Sequence, residues 1–212
     1  MDVVIAGGHG QIALRLARLL SARGERVRSL IRNPDHASDV EAAGAEAVVA
    51  DLEELDDLAP FVEGADAVVF AAGAGPGSGP ERKRTVDYGA AVKLVDAARA
   101  AGVRRYVMVS SIGADDPSAG SEAMRPYLEA KADADAAVAS SGLDFTIVRP
   151  GRLTNDPGTA RIAVGERLER ADITRDDVAA VLVAVLDERH TVGRTFVVVQ
   201  GDAPIVDALR QL

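Results

Sequence analysis

The stretch that most limits what this chain can become is its start, Asp2-Val3-Val4-Ile5-Ala6-Gly7-Gly8-His9-Gly10-Gln11-Ile12-Ala13. A run of β-branched residues ends in a cluster of glycines, and an amphipathic helical pattern from Gln11 to Ala22 begins at once. The spacing fits G-x-G-x-x-A through Gly8, Gly10 and Ala13, and the wider G-x-x-G-x-x-A through Gly7, Gly10 and Ala13. Both imply the same physics. Glycines let the backbone turn sharply and come close to a bulky anion. The helix that follows offers unpaired N–H groups and the positive end of its dipole to a pyrophosphate. Ala13 is small enough for helix and strand to pack closely. A merely structural turn is the alternative, but the position between a first strand and a helix favours dinucleotide binding.

The rest of the chain repeats this alternation. Strands are expected at Val27–Ile31, Ala47–Ala50, Ala67–Ala71, Tyr106–Val109, Asp144–Val148 and Thr195–Val199. Helices are expected at Asp39–Ala43, Leu55–Val62, Thr85–Ala101, Pro126–Ser140 and Thr174–Asp187, with a short one from Pro204. Arg149-Pro150-Gly151 is read as the stop of the sixth strand. Short, mainly apolar strands suit a parallel sheet buried on both faces. The expected fold is therefore α/β, a Rossmann-like doubly wound parallel sheet in a single domain over residues 1–212. Small substrate-side elements are expected within about 151–175 and at the C-terminus. Functional loops then belong at the carboxyl ends of the strands, including a glycine-rich loop from Gly73 to Pro80.

Composition removes several classes. With 48% apolar residues the chain can bury a core, and a net charge of −9 without a long basic run gives no footprint for nucleic acid. There is no cysteine, hence no disulfide or thiol chemistry. His9, His36 and His190 lack ligand spacing, so no metal site is expected. No apolar run reaches membrane-spanning length and no signal peptide is visible, so a cytoplasmic protein without membrane contact is expected. G-x-S-x-G and the P-loop pattern are missing.

Which nucleotide is bound turns on the end of the second strand. It reads Leu30-Ile31-Arg32, with no acid to receive a ribose 2′-hydroxyl. Arg32 offers a planar, permanently charged fork suited to a 2′-phosphate, so NADP(H) is expected in preference to NAD(H); a solvated turn arginine is the other reading. Asp51 could accept from an adenine amino group, and His9 could touch the pyrophosphate, though either could instead lie on the surface. For chemistry, Tyr127 and Lys131 form Y-x-x-x-K, which puts both on one helix face. A lysine beside a phenol lowers its pKa, and the tyrosine can then exchange a proton with a carbonyl or alcohol oxygen. Ser110 and Ser111, ending the fifth strand, could polarise the same oxygen. Arg82, Lys83 and Arg84 could meet an anionic substrate, although a solvated basic turn explains them more simply.

Taken together, these pieces resemble the short-chain dehydrogenase/reductase superfamily in its atypical NAD(P)H-binding branch, which holds proteins named as NAD-dependent epimerases, NAD(P)-dependent oxidoreductases and relatives of biliverdin/flavin reductases. The resemblance rests on the opening glycine turn, Arg32-Asn33-Pro34, Val86-Asp87-Tyr88, Val107-Met108-Val109-Ser110-Ser111, Tyr127 to Lys131 and Asp144 to Gly151. It implies cofactor contacts at Gly7, Gly10, Gln11, Ile12, Arg32, Asp51, Leu52, Ala71, Ala72 and Gly73, to which Gly8 and His9 of the glycine turn and Ser110 are added as expected contacts. It also implies Tyr127 and Lys131 near the nicotinamide, with Pro150 closing over it. Extended members often carry the catalytic hydroxyl where this chain has Ile112, so Ser111 must substitute. The expected function is NADP(H)-dependent hydride transfer to or from a small carbonyl, quinone or similar substrate. The alternative is a non-catalytic NADP(H)-binding redox sensor. Sugar-nucleotide epimerisation is disfavoured by the short region after Pro150, and the oligomeric state is not readable.

Overall fold

The computed structural model describes residues 1–75 and 77–212; Pro76, within the glycine-rich loop, lies outside them. The first half follows the expected alternation: β1 (Asp2–Ala6), α1 (Gln11–Ala22), β2 (Arg26–Ile31), α2 (Ala37–Ala42), β3 (Glu46–Val49), α3 (Ala59–Val62) and β4 (Ala67–Phe70). Then come α4 (Pro80–Arg82), a π-helical segment (Lys83–Ala90) and α5 (Ala91–Ala100), continuous with one another, followed by β5 (Arg105–Val109), α6 (Arg125–Ala139) and β6 (Asp144–Pro150). The last part holds β7 (Arg152–Thr154), β8 (Arg161–Gly165), β9 (Asp172–Thr174), α7 (Arg175–Asp187), β10 (Arg194–Gln200), β11 (Ala203–Pro204) and α8 (Ile205–Leu209).

One nine-stranded sheet runs in the order β11-β8-β10-β6-β5-β4-β1-β2-β3. The chain winds outward from β1 through β2 and β3, then returns to place β4, β5 and β6 on the other side, so the strand order reverses between β1 and β4. Register aligns the carboxyl ends there: Ala6 lies opposite both Leu30 and Phe70, and Phe70 opposite Met108. That reversal opens the crevice in which such sheets bind ligands. Both faces are covered. Val3 and Ile5 point into the core under α1 and α7, while Val4 and Ala6 point into the one under α5 and α6. Alternate residues facing two cores explain why the strand carries no polar position after Asp2.

Several expectations need correction. The helix read from Leu55 begins only at Ala59, because the Asp57 carboxylate accepts the Ala59 N–H and closes a local turn. The helix read from Thr85 begins at Pro80, a residue suited to a first helical position, and passes through the π segment. Arg149-Pro150 does not stop β6, which stays paired with β10 as far as Pro150 opposite Val198. Pro150 contributes only its carbonyl, which accepts the Ile112 N–H, so the missing donor is not needed. The sheet is not wholly parallel: β8 runs antiparallel to β10 and to β11 at one edge. β7 and β9 form a separate two-stranded pair over the cleft end of β6. Among the described residues, no helix is long and apolar enough to cross a membrane.

Candidate functional site

The glycine turn is shaped by close approach. Gly7 has φ +80°, and a Cβ there would lie 2.6 Å from Ala72 Cα at the end of β4. A Cβ on Gly8 would lie 2.5 Å from Ser29 Cβ in β2. Glycine is thus required by the two neighbouring strands. Gly10 then starts α1, whose N-terminus has no side-chain cap and no acidic residue in its first turn. Ala13 is fully buried. An uncapped helix start that faces a strand-reversal crevice fits a pyrophosphate.

Two adjoining hollows share Ala71, Ala72, Gly73 and Gly75. The first, of about 560 Å³, lies at the glycine turn and includes Gly7, Gly8, His9, Gly10, Gln11, Arg32, Asp51 and Leu52. The second, of about 460 Å³, includes Ile12, Ser110, Ser111, Tyr127, Lys131 and Pro150. The fold therefore brings the residues expected to hold the cofactor or carry the chemistry to two adjoining hollows of one cleft, while Arg84 lines neither. Their individual settings differ from expectation.

At the glycine-turn end, Arg32 is exposed and sits 3.3 Å from Glu53, whose carboxylate also takes Arg82 at 3.2 Å and the Thr85 hydroxyl at 2.7 Å. His9 does not stand free. Its Nε2 is 2.8 Å from Asp39 Oδ2, and its ring stacks on His36 with centroids 3.6 Å apart. Asp51 accepts the Glu53 N–H with one oxygen and so holds the turn that carries Glu53.

At the tyrosine end, α6 carries Tyr127, Lys131 and Asp135 along one stripe, four residues apart. Lys131 is buried. Its Nζ donates to the Val109 carbonyl at 3.2 Å and pairs with Asp87 Oδ1 at 3.2 Å, close enough for an ion pair although not aligned as a hydrogen bond. The ammonium lies 5.9 Å from the Tyr127 ring centroid and 5.5 Å from that of Phe70. It is thus compensated by a carboxylate rather than reserved for the phenol. Asp87 also accepts the Ala74 N–H, which ties the glycine-rich loop to the same carboxylate. Ser110 donates its hydroxyl to Asp135 at 2.9 Å, and Arg149 Nε donates to the same oxygen at 2.8 Å. The Ser110 proton is therefore committed to Asp135, whereas Ser111 donates its hydroxyl to the Ile112 carbonyl at a longer 3.3 Å and is the less firmly held of the two. Burial pushes the Asp135 carboxyl above its ordinary range, against the pull of Arg149, Ser110 and Lys131.

Asp87, Asp135, Arg149 and Glu53 were not read as site residues from the sequence. Asp135 had a signal, since it continues the Tyr127–Lys131 spacing by one more turn. Asp87 had only its place in Val86-Asp87-Tyr88. No local pattern announces Glu53.

A protein-family model described as NAD(P)H-binding matches residues 7–189. The chain belongs to the NAD(P)H-binding family. A Bacillus subtilis protein named as an uncharacterized sugar epimerase, YhfK, is 41% identical over 214 residues, covering 100% of each chain. A solved Bacillus halodurans structure, provisionally named an NAD-dependent epimerase/dehydratase, matches with TM-score 0.95 and 40% identity over 100% of both chains. The oxidoreductase ylbE of Lactococcus lactis matches with TM-score 0.89 and 27% identity, covering 100% of this chain and 96% of the other. Family membership and the cleft agree on a nicotinamide cofactor. The relatives' names divide between epimerase and oxidoreductase, and a shared fold does not choose between them.

Proposed function

We propose that the protein is an NADP(H)-dependent oxidoreductase that reduces a small carbonyl, quinone or similar compound, with Tyr127 as the proton donor. The observation that carries this reading is the single cleft joining the uncapped start of α1 and Arg32 to Tyr127 and Ser111. The NADP preference rests on Arg32. Its present partner Glu53 keeps Arg82 and Thr85 if Arg32 turns to a 2′-phosphate, so the exchange leaves no carboxylate unpaired. The backbone N–H groups of the α1 start would hold the pyrophosphate, and Lys131 would meet the nicotinamide ribose with the proton that Val109 and Asp87 do not use.

When bound, the reduced nicotinamide supplies the hydride to the carbonyl carbon. Tyr127 gives its phenolic proton to the carbonyl oxygen, Ser111 donates a hydrogen bond to that oxygen, and water returns the proton to Tyr127. Ile12, Val109, Met124 and Leu153 make much of the remaining wall apolar. That wall suits a compact, poorly hydroxylated substrate better than a sugar nucleotide, which needs polar partners for each hydroxyl.

A second reading, an NADP(H)-binding redox sensor without turnover, draws support from Ser110 and Lys131, whose polar atoms are satisfied inside the protein. One set of measurements separates the two. The protein is titrated with NADPH and NADH by nicotinamide fluorescence, with Arg32→Ala alongside, and is then assayed for NADPH oxidation against aldehydes, ketones, quinones and flavins. NADPH affinity is expected to fall about tenfold in Arg32→Ala, with NADH little affected. Turnover is expected to fall roughly tenfold to hundredfold in Tyr127→Phe. A fully active Phe variant sinks the role of Tyr127, and tight NADPH binding with no oxidation across the panel favours the sensor.

A further inference from the structure

Three consecutive cations, Arg82, Lys83 and Arg84, stand where the glycine-rich loop enters the helix, and the structure separates their roles. Arg82 is taken by Glu53 and by the Ala74 carbonyl. Arg84 pairs with Asp133 and lies 4.0 Å over the Tyr88 ring. Lys83, the first residue of the π segment, has no carboxylate within 4.0 Å among the described residues. It is nevertheless half-buried, and it lines the tyrosine end of the cleft together with Tyr127.

The charge balance of that end is simple. Its other formal charges, Asp87 and Lys131, cancel each other. The wall thus carries one uncompensated positive charge, set among apolar side chains, in a chain whose net charge is −9. Half-burying an ammonium without a partner is unfavourable, and an incoming anion relieves that cost where water is partly excluded. Lys83 does not line the glycine-turn hollow, so the cofactor's phosphates are not the anion it faces.

We propose that Lys83 sets the substrate class: a carbonyl compound with an apolar body and a carboxylate, the carboxylate paired with Lys83 Nζ while the carbonyl faces Tyr127. This deepens the oxidoreductase reading and rests on it for the identity of the reacting group. The anion site itself is tested separately.

The test uses aromatic and aliphatic oxo acids, 4-formylbenzoate and levulinate among them, each beside its methyl ester. Binding is followed by calorimetry on the protein loaded with NADP⁺, where no hydride is available, for wild type, Lys83→Met and Lys83→Arg. Each acid is expected to bind about tenfold tighter than its ester, with the preference lost in Lys83→Met and largely kept in Lys83→Arg. Equal binding of acid and ester by the wild type, or a preference that survives Lys83→Met, overturns the proposal. So does a loss of NADP⁺ affinity in Lys83→Met as large as the loss of acid affinity, which would make Lys83 a cofactor ligand. NADPH oxidation is then read on the same compounds. Lys83-dependent acid binding without oxidation defeats the oxidoreductase reading and leaves the anion site standing; oxidation without acid preference does the reverse.

Discussion

At the glycine-turn end of the cleft the charges are exposed and shared: the Arg32 side chain is 56% accessible and leans on a Glu53 that two other donors also hold. At the tyrosine end, Lys83 apart, they are sealed, with Lys131 at 3% and Asp87 at 0% exposure, and Asp135 beneath Arg149. The difference separates two uses of an ion pair. An exposed pair is worth about 0–1 kcal/mol, so Arg32 can leave Glu53 for a phosphate at little cost. A sealed pair costs about 3–5 kcal/mol to break by removing one partner, so Lys131 and Asp87 hold positions and are poorly suited to exchange. One end is built to change partners and the other to keep them.

The comparison can be broken hardest at Asp87. Asp87→Ala leaves Lys131 buried without its carboxylate and is expected to cost about 3–5 kcal/mol in urea denaturation. The double variant with Lys131→Met should recover much of that loss. A single-variant loss below about 1 kcal/mol would mean the pair is not sealed. Arg149→Met comes next, at about 2 kcal/mol near neutral pH, because it strips the buried Asp135 of a main cationic partner. The sign of its pH dependence follows from Asp135. Burial already raises this carboxyl above 3.8, so between that value and its folded value the native state binds more protons and stability falls as pH rises. Removing Arg149 pushes the folded value higher and extends the window upward. The stability gap between wild type and variant should therefore narrow from pH 7 to pH 4; a constant gap would assign Arg149 to packing alone. The smallest effect belongs to Arg32→Ala, whose unfolding free energy should move by no more than about 0.5 kcal/mol while its NADPH affinity falls. A large stability loss there would erase the contrast between the two ends.

The same divide marks what the sequence could reveal. The N-terminal half was legible because its strands are short, mostly apolar runs closed by a turn residue, and because the glycine turn has a fixed spacing. The edge beyond β10 was not. β7 and β9 have three residues each and carry charged ones, and Arg161-Ile162-Ala163-Val164-Gly165 alternates too briefly to stand out. At the site, Tyr127 and Lys131 are legible by spacing and Ser110 and Ser111 by their place at a strand end, yet their partners are not. Asp87 reaches Lys131 from 44 positions away in sequence, and Asp135 takes Ser110 from 25, so only the tertiary fold brings these acids to the residues they hold. Sequence spacing named the groups at the tyrosine end; it could not tell that Lys131 and Ser110 were already engaged.

The π segment gives this arrangement a phase. Between Lys83 and Ala90 the helix turns more widely than the α-helix on either side, so each turn holds more residues than α geometry would accommodate. Rewinding the same residues as α-helix would leave an unbroken helix, yet it would rotate everything before them by roughly 100° relative to the alanine-rich stretch behind. Lys83 would swing off the cleft while Ala91 and Leu94 stayed packed in the core. The angular setting between the charge at the cleft and the helix that anchors it is thus fixed by the wide winding of this segment, a constraint that no substitution at Lys83 or Asp87 would disclose.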